Sequence, residues 1–290
     1  MKKIAILGCE NSHANTFLKF IKENEEFSDV EVVGVYSNDK EASEKLREIF
    51  GVNVLDDYTD AVGKIDGLVI TARHGDDHYK YAKPYIKSGI PMFIDKPITV
   101  SEAEAVSFMR ELRDANVRIT GGSSLKEAAL ICELKEKAED LEGGKTVGGA
   151  VRAPITMENP YGGFYFYAQH LVEMVCEVFG RYPKSVQAFT APDTINVIFR
   201  YDGFDVTGTF CEKMYTYYAA RYAEKETQGG IVDISDRLAF YKEFDEFYKL
   251  LCGEAQTVDF DDFISPVFIM NAIDRSLASK KEEIVKEYKV

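Results

Sequence analysis

Three stretches of this chain carry residues that could do chemistry, and each follows a short apolar run. The first is Gly8-Cys9-Glu10-Asn11-Ser12-His13, directly after residues 4–7. A glycine-led turn between a strand and a helix is where a dinucleotide's pyrophosphate is held, with the helix N-terminus facing the phosphates. Of the three glycines in that fingerprint only Gly8 is here. Glu10 stands where a glycine lets backbone approach the pyrophosphate, and His13 where one lets the helix pack on the strand. The loop reads either as an altered dinucleotide site or as an ordinary strand-to-helix turn. In both, Asn11 or Ser12 caps the helix and leaves its N-terminus able to face an anion. The second stretch is Ser37-Asn38-Asp39-Lys40. An acid at the end of this strand would hold the ribose hydroxyls of NAD. Ser37 occupies that position, and Lys40 could neutralise a 2′-phosphate, so the stretch favours NADP. Asp39 keeps NAD open, and a solvated loop without a cofactor role is the third alternative. The third stretch is Asp95-Lys96-Pro97. A lysine at the C-terminal end of a parallel strand faces the ligand crevice. There its ammonium can polarise a substrate oxygen or stabilise a developing alkoxide, and Pro97 confines it to an extended geometry. The plain alternative is a solvated surface lysine.

His74 and His78 stand four apart with Asp76 and Asp77 between them. No third ligand follows at a suitable spacing, so no metal is expected. Neither a P-loop nor a nucleophile elbow occurs, which leaves NTPase and acyl-transfer chemistry unsupported. The tyrosines Tyr215, Tyr217, Tyr218 and Tyr222 read as packing, or as the wall of a sugar pocket or an oligomer surface.

The elements that must position these residues alternate strand and helix through the first third of the chain. Strands are expected at 3–7, 30–36, 52–54, 67–71 and 91–94. Helices are expected at 14–22, 41–50 (with Gly51 just past its end), 77–88 and 101–115. Asp76 is the expected cap of the third helix, Pro84 a break within it and Gly89 its left-handed end. Ser101 with Glu104 makes a capping box for the fourth. The rhythm changes near Thr120-Gly121-Gly122. A charged helix is expected at 125–141, a hairpin at 195–200 and 206–210 about Asp202-Gly203, and helices at 164–179, 238–251 and 267–279. The fold class is therefore an α/β parallel-sheet domain over residues 1–122, then an α+β domain with a mainly antiparallel sheet over residues 123–290.

A net charge of −14 with no basic run argues against nucleic acid and against anionic membranes as partners. The five cysteines are odd in number and scattered, forming neither a disulfide framework nor a zinc pattern. No segment has the length of a membrane span, and the first apolar run is too short for a leader. A cytoplasmic protein is expected.

The run Asp66-Gly67-Leu68-Val69-Ile70-Thr71-Ala72, then His78, then Ser88-Gly89-Ile90-Pro91-Met92-Phe93-Ile94-Asp95-Lys96-Pro97 resembles the glucose–fructose oxidoreductase / inositol dehydrogenase (Gfo/Idh/MocA) family. In that family the fourth strand leads to a helix bearing histidine and the fifth ends in Glu-Lys-Pro, of which Asp95-Lys96-Pro97 is a close variant. The resemblance implies a Rossmann domain that binds NAD or NADP at Gly8, Glu10, Asn11, Ser12, His13, Ser37, Asn38, Lys40, Thr71, Ala72, Arg73, His78, Asp95, Lys96 and Pro97, with His78 shaping the loop after the fourth strand. It also implies catalysis by Lys96 and by the histidine of an Asp-x-x-x-His helix behind a glycine-rich turn. Here Gly162-Gly163 precede Phe164, and His170 matches that histidine, while Phe166 replaces the aspartate. Phe166 would give a more apolar or aromatic ligand wall than the family's, Tyr165 and Tyr167 could supply the missing hydroxyl from off that helix face, and a packing histidine is the alternative role for His170. The implied activity is hydride transfer to or from a sugar, cyclitol or related polyol by a homodimer or homotetramer. Glu10, His13 and Phe166 depart where redox chemistry needs particular residues. A non-catalytic ligand- or nucleotide-sensing protein on the same fold is the alternative function.

Overall fold

The computed structural model describes residues 1–235 and 237–290. The first half runs β1 (Lys2–Leu7), α1 (Ser12–Glu23), β2 (Val30–Tyr36), α2 (Lys40–Phe50), β3 (Gly67–Ile70), α3 (Gly75–Ala82), β4 (Met92–Asp95), α4 (Glu102–Asp114) and β5 (Ile119–Gly122). The five strands form one parallel sheet in the order β2-β1-β3-β4-β5. Helices on both faces bury its central strands completely, so residues 4–7 and 68–70 are apolar without alternation. Two close approaches fix glycines. A Cβ on Gly8, at φ +79°, would lie 2.2 Å from the Ala72 backbone nitrogen, and one on Gly121 would lie 2.1 Å from the Ile94 carbonyl oxygen.

Several local expectations change. Residues 52–54 make a single bridge, Val35 to Val54, because the segment leaves the sheet edge at once. The 77–88 helix divides into α3 and a 3₁₀ turn, Lys83–Ser88, that begins beside Pro84. Its cap is His74, whose Nδ1 accepts from the Asp76 amide at 3.2 Å, and not Asp76. Ser101 caps α4 as expected. β5 escapes a propensity reading because half of it is Gly121-Gly122.

The second half runs α5 (Ala129–Glu139), β6 (Thr146–Pro154), α6 (Tyr165–Phe179), β7 (Ser185–Ala191), β8 (Thr194–Arg200), β9 (Asp205–Cys211), β10 (Tyr217–Ala223), β11 (Thr227–Val232), α7 (Leu238–Leu251), α8 (Phe260–Ser279) and β12 (Glu283–Ile284). The 125–141 helix begins as a 3₁₀ turn and becomes α5 only at Ala129. The 267–279 helix starts earlier, at Phe260, and carries Pro266 in its interior. The sheet order is β11-β10-β6-β9-β8-β7-β12, antiparallel throughout except for β6 beside β9. One face packs on α5, α6 and α8. The helix α7 does not stay with this sheet. It returns to the first one, where Phe244 and Phe247 join Ile4, Ile6, Phe17, Val69 and Phe93 in one core.

Candidate active site

Lys96 directly follows β4 and is 4% exposed. Its Nζ donates to the Phe166 carbonyl at 3.2 Å and lies 4.6 and 5.4 Å from the ring centroids of Phe166 and Tyr167. An ammonium has three donors, so a single carbonyl leaves donors for an incoming oxygen. Burial pulls the Lys96 pKa down; Asp95 opposes this, and the Arg73 guanidinium adds to it. The Lys96–Pro97 peptide is cis.

His170 lies on the second turn of α6 with Nδ1 2.7 Å from Ser123 Oγ, just beyond β5. Its ring is 5.6 Å from that of Tyr167 and 6.0 Å from that of Tyr217. Lys96 and His170, which come from different halves of the chain, are thus both close to the Tyr167 ring. Burial, and then the positive charge of Lys96, holds the His170 pKa well below its ordinary value. The imidazole is neutral at pH 7. Ser123 Oγ already accepts from the Leu125 amide at 3.3 Å. The Ser123 hydroxyl can donate to Nδ1 or accept from it, and in the tautomer with Nδ1–H donating, Nε2 is the basic nitrogen. Arg73 donates to the Tyr161 hydroxyl at 3.0 Å, and Tyr161 packs on Phe166, extending the aromatic wall.

The loop after β1 is tied down by its own side chains. Asn11 caps α1 by accepting from the His13 amide at 3.4 Å and donates to Asp95 Oδ2 at 2.9 Å. Ser12 is exposed at the first turn of α1, which contains no acidic residue. Glu10 reaches across the strand ends: Oε2 accepts from the Ser37 hydroxyl at 2.6 Å and Oε1 from the Arg73 amide at 2.9 Å. Thr71 donates to the Gly8 carbonyl at 3.0 Å. Asn38 bonds Tyr36 and Tyr81, and Lys40 is exposed at the start of α2. The pair that favoured NADP therefore forms no 2′-phosphate cradle. The Ser37 hydroxyl is spent on a carboxylate.

Below this loop lies a buried charge cluster. His13 Nδ1 is 3.1 Å from Asp95, and Nε2 is 3.5 Å from Glu243 of α7, too poorly aligned for a hydrogen bond. Burial works against a charge on His13, but Asp95 and then Glu243 outweigh it and lift its pKa to about 9. Burial pushes Glu243 up to about 7 against the pull of His13. Asp95 also accepts from the Lys96 amide at 2.7 Å. Burial would raise its pKa, yet His13, then Lys96 and His78, hold it below the usual carboxylate range.

Residues 2–123 match the model of an oxidoreductase family with an NAD-binding Rossmann fold. The whole chain is similar in fold to solved structures at low identity. A myo-inositol 2-dehydrogenase from Lactobacillus plantarum is 16% identical with a TM-score of 0.85, over 98% of this chain and 99% of that one. A scyllo-inositol dehydrogenase from Lactobacillus casei, with bound NAD(H) and scyllo-inositol, is 15% identical with a TM-score of 0.84, over 98% and 99%. The WlbA dehydrogenase from Chromobacterium violaceum, in complex with NADH and UDP-GlcNAcA, is 16% identical with a TM-score of 0.82, over 99% and 97%. No curated protein matches by sequence.

The residues at the strand ends of the first sheet fit a dinucleotide. The first turn of α1 contains no acidic residue, and Lys96 Nζ keeps unspent donors in a buried place. Gly8, Asn11 and Ser12 would hold the pyrophosphate, Glu10 and Ser37 the adenosine ribose, and Lys96 the nicotinamide end. Tyr165 does not join them: its hydroxyl turns to Asp274 on α8, 3.4 Å away. Nor do His74 and His78 form a pair. His74 caps α3, and His78 is fully buried with Nε2 2.8 Å from the Ala72 carbonyl oxygen. Among the described residues no group of three or more His, Cys, Asp or Glu could hold a metal, and no helix is long and apolar enough to cross a membrane. Ser123, Tyr161 and Glu243 escape a sequence reading. Ser123 stands at a strand end, where site residues cluster. Glu243 falls on the same helix face as Phe240, Phe244 and Phe247, an acid within an apolar stripe.

Proposed function

We propose that this protein is an NAD(P)-dependent dehydrogenase acting on a hydroxyl or carbonyl of a sugar, cyclitol or related polyol. The observation that carries the reading is that Lys96 Nζ and the His170 ring both approach the Tyr167 ring, at 5.4 and 5.6 Å from its centroid. The dinucleotide would supply the hydride acceptor or donor. In the oxidising direction Lys96 Nζ donates to the substrate oxygen and stabilises the developing alkoxide. His170 Nε2, neutral by burial, takes the hydroxyl proton. The hydride leaves the same carbon, so two electrons and two hydrogens depart and a carbonyl remains. Phe166, Tyr167 and Tyr161 offer aromatic faces to the C–H side of a polyol ring. The inositol dehydrogenases of the same fold agree in substrate class. Titration with NADH and NADPH, followed by turnover on a polyol and sugar panel, tests the reading. Binding and oxidation of at least one polyol is expected. No binding of either cofactor at about 1 mM, the top of the usual KM range, overturns it.

We also place the protein in the cytoplasm as a homodimer or homotetramer. Its acidic charge and scattered free cysteines support the location. The helix-free face of the second sheet supports the assembly. Phe189 and Ile231, 47% and 61% exposed, lie on one cross-strand row there. The non-catalytic sensor is favoured by one observation, the Glu10 carboxylate in the groove. Cofactor binding without turnover on the panel would select it.

A further inference from the structure

We propose that Glu10 reads the adenosine ribose in place of the acid missing from β2, and that this makes the protein select NAD over NADP. The inference rests on the dinucleotide reading above and adds to it which cofactor is taken and by which residue. Selection for NAD needs a carboxylate at the C-terminal end of β2, facing the ribose hydroxyls. The residue there is Ser37, which is nearly buried and carries no charge. Glu10 delivers the carboxylate to the same point from the loop after β1, with Oε2 2.6 Å from the Ser37 hydroxyl.

The carboxylate is held in place from two sides. The Ser37 hydroxyl donates to one oxygen, and the Arg73 amide at the end of β3 donates to the other at 2.9 Å. Ser37 Oγ is itself fixed by the Asp39 amide at 3.0 Å. A carboxylate offers about four acceptor positions, so two donors leave two open, the number a ribose 2′,3′-diol requires. A 2′-phosphate would bring a charge of about −2 to this point. The cation at the end of β3 that could compensate is engaged elsewhere. The Arg73 guanidinium lies over the Tyr161 ring and bonds its hydroxyl. Lys40 is exposed on α2, and Asp39 beside it adds negative charge while capping that helix through the Ala42 amide.

The test is equilibrium binding of NADH and NADPH by nucleotide fluorescence, on the full chain and three variants, with folding checked by circular dichroism. The native protein should bind NADH on the order of 10²-fold more tightly than NADPH, because like charges brought together are strongly disfavoured. The isosteric Glu10→Gln removes the charge, so NADPH affinity should rise about tenfold or more while NADH affinity changes less. Ser37→Ala keeps the charge but releases it, and should narrow the preference by weakening NADH. Equal affinities in the native protein, or a preference for NADPH, overturn the inference and leave the dinucleotide reading standing. So does binding that appears only in Glu10→Gly, because the carboxylate would then be an obstruction. If the native chain and all three variants bind neither nucleotide, the dinucleotide reading itself falls, and this inference with it.

Discussion

Glu243 should make the folding stability of this protein fall between pH 5 and pH 8, and Glu243→Gln should remove most of that fall. Both carboxylate oxygens are buried without a hydrogen-bond partner among the described residues, and burial pushes the pKa from 4.5 to about 7. A carboxyl raised on folding keeps a proton that the unfolded chain gives up. Its stabilisation is therefore complete below the unfolded value of 4.5 and is lost as pH rises through about 7. At about 1.36 kcal/mol per pH unit, the displacement corresponds to roughly 3 kcal/mol. His13 adds a second descent, because its pKa is raised to about 9 and its contribution is lost as pH climbs from 6.5 through that value. In the glutamine variant His13 loses one carboxylate and titrates earlier. That trims the difference without reversing it, since Asp95 remains 3.1 Å away. The assay is denaturant unfolding of native and variant chains at pH 5 and pH 8, taken as a difference of differences so that the other titrating groups cancel. The native chain should lose about 2 kcal/mol more than the variant over this range. The amide enters the same unpartnered place as the acid, so absolute stability at pH 5 is not diagnostic; the pH slope is. Equal slopes in the two chains, or a steeper one in the variant, refute the argument.

Lys96→Met keeps the stem and removes the ammonium, and should lower turnover by about 10²–10³-fold with a smaller effect on cofactor affinity; unchanged turnover on a polyol the native enzyme oxidises would reject the role. His170→Asn should cost roughly 10²–10⁴-fold, and the double variant should lose less than the two losses combined, because both residues serve one transition state. With the His170 pKa held well below 6.5, kcat/KM for oxidation should show no acid limb centred near 6.5; a limb there that disappears in His170→Asn would contradict its burial. Gly8→Ala forces a left-handed residue, worth about 1–2 kcal/mol, and drives Cβ to 2.2 Å from backbone. Its thermal midpoint should fall by several degrees, and a melt within about 2 °C of native would show that the loop yields.

The parallel half of the fold was legible because its signals are local. Residues 4–7 and 68–70 are continuous apolar runs, as a strand covered on both faces requires. Ser101 and Asp39 sit where helices begin, and Gly51 and Gly89 where they end. Lys96 could be singled out from the strand that precedes it and the proline that follows. The second sheet was only partly legible. The Asp202-Gly203 hairpin carries a turn signal, whereas β6 and β10 contain glycine and alanine pairs whose fit depends on neighbouring strands. For Ser37 and Lys40, residue type alone pointed to a phosphate, because a side chain from another loop does not register in the local pattern.

The sequence by itself determined four of the strands of the first sheet and the helices that follow them, and that the chain changes architecture near Gly122. Periodicity and capping act over a few residues, and so survive in one dimension. The tertiary structure alone decided the juxtapositions that make a site. Glu10 meets Ser37, Lys96 faces Phe166 and Tyr167, Ser123 orients His170, and α7 returns to the first sheet and sets Glu243 against His13. Each of these joins residues far apart in the chain, and their energies come from burial and from charges at close range in a low-dielectric interior. Such terms depend on which surfaces meet, and the order of residues does not record that.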